Sequence, residues 1–108
     1  MATVGAYGPP NLKHLLLDNG AHDSTGGQAT VSPSMSFTGV AAACGYSRGI
    51  ESDDLGELAA WLEEPWHSGP SFGRFWIRTG TPADLPRPSI SPADVKTRFM
   101  QHFADRVR

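Results

Sequence analysis

LKHLLLDNGAHDSTGGQATVS, residues 12–32, begins as one kind of chain and ends as another. Its first seven residues are a short apolar run, entered from Gly8, Pro9 and Pro10 and left through Asn19 and Gly20, which is the pattern of a buried parallel strand. The following residues, 19–34, are rich in Gly, Ser, Thr, Asn and Asp and keep no helical period, so a loop is expected at that strand's C-terminal end. Such a loop is longer than a plain connector needs to be, and long loops inside small domains are usually functional.

Outward from this stretch, helical and extended patterns alternate. Ser36 is placed to cap a helix over residues 37–44, with Phe37, Val40, Ala41 and Cys44 on one face and Gly45 at the left-handed C-terminal position. A short strand is expected around residues 46–50. Ser52 or Asp53 opens a second helix, in which Leu55, Leu58, Ala59 and Leu62 form one stripe and Pro65 makes the end. Gly56 weakens that helix by about 1 kcal/mol relative to alanine. FGRFWIRT, residues 72–79, alternates and is rich in aromatic and β-branched residues, as a strand does. After an extended connection, TPADLPRPSISP, Pro92 opens a last helix capped by Ser91, with Val95, Phe99, Met100 and Phe103 facing inward. The order predicts an α/β fold of three layers, a mostly parallel sheet with helices on both faces joined by right-handed crossovers. Ligands of such sheets gather beyond the strands' C-terminal ends, where residues 19–28 fall.

The bulk properties narrow the function classes. A chain of 108 residues holds one core. The formal net charge of −2 supplies no basic field for nucleic acid or anionic lipid, so neither is an expected partner. The longest apolar run is too short to span a bilayer, and MATVGAYGPP lacks the basic start and apolar middle of a secretory signal, so the expected location is cytoplasmic. The lone cysteine, Cys44, excludes an internal disulfide and reads as a small apolar residue in an alanine run. Gly (12) and Pro (9) are abundant but cluster between patterned segments, as punctuation of a folded chain does.

DNGAHDSTGGQATVS, together with FTGVAAACGY at residues 37–46 and DLPRPSISPADVKTRFMQHF at residues 84–103, resembles the thiamine-diphosphate-dependent 2-oxo-acid decarboxylases of the phosphonopyruvate decarboxylase kind. The likeness covers nearly the whole chain and implies that residues 1–108 are the C-terminal part of a thiamine-diphosphate-binding domain, an incomplete copy of that fold. In the family, a Gly-Asp-Gly motif opens the cofactor site and an Asn pair closes it; here Asp18 stands in the variable place and Asn19 in the ligand place. The resemblance implies a cofactor-binding turn of Asp18, Asn19, Gly20 and Ala21, with the Asn19 side-chain oxygen and the Ala21 carbonyl as Mg2+ ligands. Magnesium takes hard oxygens and shares itself between a few protein groups and phosphates, which suits such a pair. Read without the family, Asn19-Gly20 is better taken as a simple turn.

His22, Asp23, Ser24, Thr25, Gly26, Gly27 and Gln28 offer donors, acceptors and two glycines that allow close backbone approach, the equipment of a pocket for a 2-oxo acid bearing a phosphonate. The plainer reading is a polar loop satisfying itself. No catalytic residue is assigned. His14 reads as the outer end of the first strand, His67 and His102 lack metal-ligand spacing, and Trp61, Trp66 and Trp76 read as core or interface aromatics. The family's Gly-Asp-Gly and its pyrimidine-binding domain do not occur in this sequence, so the resemblance implies a partner domain or subunit and a homo- or hetero-oligomer. The implied reaction is decarboxylation of 3-phosphonopyruvate to phosphonoacetaldehyde and CO2 in phosphonate and antibiotic biosynthesis. Sulfopyruvate decarboxylase, and a non-catalytic assembly module, remain alternatives.

Overall fold

Five consecutive buried residues, from Ser71 to Phe75, mark the middle of the sheet, because only a strand with neighbours on both edges and cover on both faces hides every side chain. The structure, a computed structural model, describes residues 1–106. Its first helix, α1, is Ala2–Tyr7, followed by β1, Lys13–Asp18. A two-rung hairpin of β2, Ala21–His22, and β3, Gln28–Ala29, then leads to α2, Phe37–Ala43. The rest of the chain supplies β4, Arg48–Ser52, α3, Leu55–Glu63, β5, Ser71–Trp76, and α4, Pro92–Ala104. The main sheet runs β1-β5-β4 with both pairings parallel, Asp18 opposite Trp76 and Glu51 opposite Arg74. The three-layer α/β expectation therefore holds.

Strand alternation divides β5 between the two layers. Phe72 and Arg74 face α1 and α2, where Ala41, Tyr46 and Phe72 form the core with Met1, Val4, Leu16, Phe37 and Cys44 packed against them. Ser71, Gly73 and Phe75 face α3, whose Trp61 is 1% exposed and donates from Nε1 to Ser71 Oγ at 2.8 Å. Close approach of the ring requires Gly73, since a Cβ there would lie 2.9 Å from the Trp61 indole. On β1, Lys13 donates to the carbonyls of Trp61, Leu62 and Glu64 at 2.6 to 2.8 Å, a cation placed on the free carbonyls that end α3.

The helix ends follow their sequence signals. Ser36 Oγ accepts from Gly39 N, and Ser91 Oγ accepts from Asp94 N. After α2, Gly45 N donates to Ala42 O and Tyr46 N to Ala41 O, with Gly45 at φ +95°, the paired bonds of a Schellman turn.

Several expectations need correction. The cap of α3 is Asp54, whose side chain accepts from Glu57 N; Ser52 ends β4 and Asp53 lies between. The stripe on α3 is not its buried face: Leu55, Ala59 and Leu62 are exposed, and Trp61 makes the contact. The strand expected at residues 46–50 lies at Arg48–Ser52, because Tyr46 is used to close α2. β5 stops at Trp76 and does not reach Thr79, since its partner β1 ends at Asp18. The last helix forms where expected, yet Val95, Phe99, Met100 and Phe103 are all exposed; periodicity marks an apolar face without specifying what covers it. His14 is no outer end, being hydrogen-bonded to Tyr46 Oη at 2.9 Å and edge-on to Phe72. Of the tryptophans, Trp66 is exposed beneath the Lys13 ammonium and Trp76 carries the Arg74 guanidinium at 3.6 Å. Among the described residues, no helix is long and apolar enough to cross a membrane.

Candidate functional site

A strip of ion pairs crosses the sheet just below its C-terminal edge. At its centre Arg74 has a side chain only 3% exposed. Its Nε and one terminal nitrogen both donate to Asp18 Oδ2, at 2.9 and 2.7 Å; the same nitrogen also donates to Ser32 O, and the other to Glu51 Oε2 at 3.1 Å. Glu51 Oε1 in turn accepts from the amide and hydroxyl of Thr38 in the first turn of α2. One cation thus joins all three strands, the helix and the loop. Trp76 and Phe37 lie against the guanidinium, at 3.6 and 4.8 Å from ring centroids, and limit water's access to it.

Asp18 is fully engaged: Oδ2 accepts from Arg74, and Oδ1 accepts from Gly20 N at 2.9 Å and Ser32 Oγ at 3.0 Å. Burial pushes its carboxyl upward, but the Gly20 amide, Arg74 and Ser32 outweigh that and hold it below the usual carboxylate range. Glu51 is likewise held low, because the Thr38 and Arg74 donors outweigh its burial. Asp18 therefore anchors the loop above it, through Gly20 and Ser32, and Glu51 anchors the first turn of α2.

On this base stands the turn. Asn19 is half-buried; its Oδ1 accepts from Ala21 N at 3.1 Å and its Nδ2 donates to Asp23 Oδ2 at 2.8 Å. Asp23 Oδ2 also accepts from Gly80 N at 2.9 Å, beyond the end of β5. The hairpin above is short and open to solvent, with His22, Asp23, Ser24, Thr25, Gly26, Gly27 and Gln28 all exposed. It holds itself by backbone, Gly27 N donating to His22 O and Thr30 N to Gly20 O, and Gly26 and Gly27 take φ of +120° and +76° that other residues resist. Two surface hollows lie elsewhere, one lined by Thr81, Pro82, Leu85 and neighbours and one on α4 around Phe99.

The oxygens gathered here suit a hard divalent cation only in part. Asn19 Oδ1 is a neutral oxygen at an accessible turn, as magnesium accepts, while Asp18 is committed to Arg74. Among the described residues no three His, Cys, Asp or Glu side chains converge as a metal cage.

No family model matches the chain. Two curated proteins do: one from Streptomyces viridochromogenes is 47% identical over 103 residues, 92% of this chain, and one from Streptomyces hygroscopicus is 44% identical over 102 residues, 94% of it. Both are named phosphonopyruvate decarboxylase. The chain is a relative of the phosphonopyruvate decarboxylases. It spans 25% of the length of these two proteins. The likeness to phosphonopyruvate decarboxylase, seen first in residues 18–32, 37–46 and 84–103, therefore extends over almost every element described above.

Sequence reasoning placed a turn and a loop at the sheet's C-terminal edge; both are there, and the loop folds back on itself as the β2–β3 hairpin, which the sequence reading did not foresee. It missed Arg74, Glu51 and Ser32. A signal existed for the first: an arginine between aromatics in a strand buried on both faces needs carboxylates within reach, and Asp18 at a strand end is the nearest in kind.

Proposed function

We propose that this chain is the C-terminal part of the thiamine-diphosphate-binding domain of a phosphonopyruvate decarboxylase. The match to two decarboxylases over 92% and 94% of the chain carries the reading. A polar turn at the C-terminal edge of a parallel sheet, where such folds bind ligands, supports it.

On this reading Asn19 Oδ1 and the Ala21 carbonyl would hold Mg2+, together with oxygens from a Gly-Asp-Gly segment and the diphosphate. Thiamine diphosphate, when bound, supplies the carbanion that attacks a 2-oxo acid and the electron sink that receives the pair left by departing CO2. This chain's own residues bind and orient. Asp18 and Arg74 fix the base of the turn; Gly20 keeps its amide on Asp18, so the backbone at Ala21 is held in place. Thr25 and Gln28 at the hairpin offer donors to the phosphonate and carboxylate of 3-phosphonopyruvate, giving phosphonoacetaldehyde and CO2 as products in phosphonate and antibiotic biosynthesis. The partner is a pyrimidine-binding domain or subunit, in a cytoplasmic oligomer.

Combining the chain with that partner segment and assaying both 3-phosphonopyruvate and 3-sulfopyruvate tests the proposal. The expected result is Mg2+-dependent turnover of the phosphonate, a loss of cofactor binding of about tenfold or more in Asn19→Ala, and weaker substrate use in Thr25→Ala or Gln28→Ala. Turnover of the sulfonate alone would make the chain a sulfopyruvate decarboxylase subunit. Absence of both turnover and cofactor binding would make it an assembly module.

A further inference from the structure

Asn19 ends in a carboxamide, whose oxygen and nitrogen exchange places by a half-turn about the last side-chain bond. Its two partners do not tolerate that exchange. The Ala21 amide only donates, and the Asp23 carboxylate oxygen accepts. One orientation satisfies both, with oxygen toward the turn and nitrogen toward Asp23. The same Asp23 oxygen receives the Gly80 amide at 2.9 Å. Gly80 stands at φ +94°, a conformation that residues with a Cβ rarely adopt. β1 and β5 are parallel neighbours whose last paired residues are Asp18 and Trp76, so their exit segments leave the sheet side by side.

We infer that Asp23 is a positioning residue that fixes which atom of the Asn19 carboxamide faces the turn and ties the segment after β5 to the loop after β1. The tie stands on the geometry alone. Its use, presenting an oxygen to a divalent cation, rests on the function proposed above. Asp23 acts through Asn19, and the segment beginning at Gly80 becomes one wall of the same site.

Amide hydrogen exchange of the full chain reads the tie without any cofactor. Asp23→Ala should speed exchange at the Gly80 amide and at the Asn19 side-chain NH2 by about tenfold, the scale of one lost charge-assisted hydrogen bond. Asp23→Asn keeps an oxygen in the same place and should restore most of the protection. Unchanged exchange in Asp23→Ala at both groups would overturn the inference. A second reading uses Mn2+ as a probe of the turn in the chain combined with the partner segment and thiamine diphosphate, followed by broadening of the Ala21 amide signal. Asn19→Ala should abolish the response, Asp23→Ala should weaken it by about tenfold, and Asp23→Asn by less. Equal Mn2+ affinity in Asp23→Ala and the unsubstituted chain would remove the positioning role. No broadening in the unsubstituted chain would instead withdraw the cation reading, and the cation half of this inference with it, leaving the exchange data to decide the tie.

Discussion

Arg74 sits where a strand buried on both faces has no water to offer it, so its stability depends on Asp18 and Glu51 being ionised. Asp18→Asn leaves the guanidinium short of a charge and is expected to cost about 3 to 5 kcal/mol, read as a lower urea midpoint with unchanged slope. Both carboxylates are held below their ordinary range, so the unfolded chain binds more protons than the folded one in acid. Their contribution is complete above about pH 4 to 5, where unfolded carboxylates are ionised, and is lost as pH falls through the lower folded values. Unfolding midpoints between pH 6 and pH 3 should drop steeply in the natural chain and more shallowly in Asp18→Asn. Much of the turn was legible at this scale, since Asn19, Gly20 and the two hairpin glycines carry their geometry locally. The pairing of Asp18 with Arg74 was not, because it joins two strands distant in sequence and depends on which strands lie side by side.

At the scale of elements, the caps of α2 and α4 and the inner face of α2 were readable, while the cap and the buried face of α3 were not. Ser36, Gly45, Ser91 and Pro92 act through hydrogen bonds and dihedral preferences within their own turn, so their neighbours in sequence suffice. The buried face of α3 depends on the sheet it meets. A single Trp61 ring, laid over Gly73, replaces the leucine stripe that periodicity favours. Gly73→Ala should therefore lower stability by about 1 to 3 kcal/mol through overpacking against that ring. Gly73→Ala combined with Trp61→Phe should recover part of the loss, and additive losses in the unfolding midpoints would show that the two residues do not meet. Lys13 offers a parallel case: a strand residue caps a helix 48 to 51 positions away, a relation that no local pattern encodes.

Across the whole molecule, the layers and the parallel sheet could be foreseen from the alternation of patterns, while the strand order β1-β5-β4 could not. The core lies between β5 and α2, and α4 stands apart with its apolar face in solvent. Replacing Phe99 and Phe103 together by serine should leave the isolated chain's stability within about 0.5 kcal/mol, whereas Phe72→Ala should cost about 3 to 5 kcal/mol. The strand order has one more effect. Within these residues the central strand is the last of the three in sequence, so β1 and β4 do not pair with each other and each meets its neighbour only through residues 71–76. Both pairings of the main sheet therefore join segments distant in sequence, β1 with β5 and β4 with β5. Folding should thus be governed by long-range loop closure, slow for a chain of this size, with β5 emergence from the ribosome as its gate.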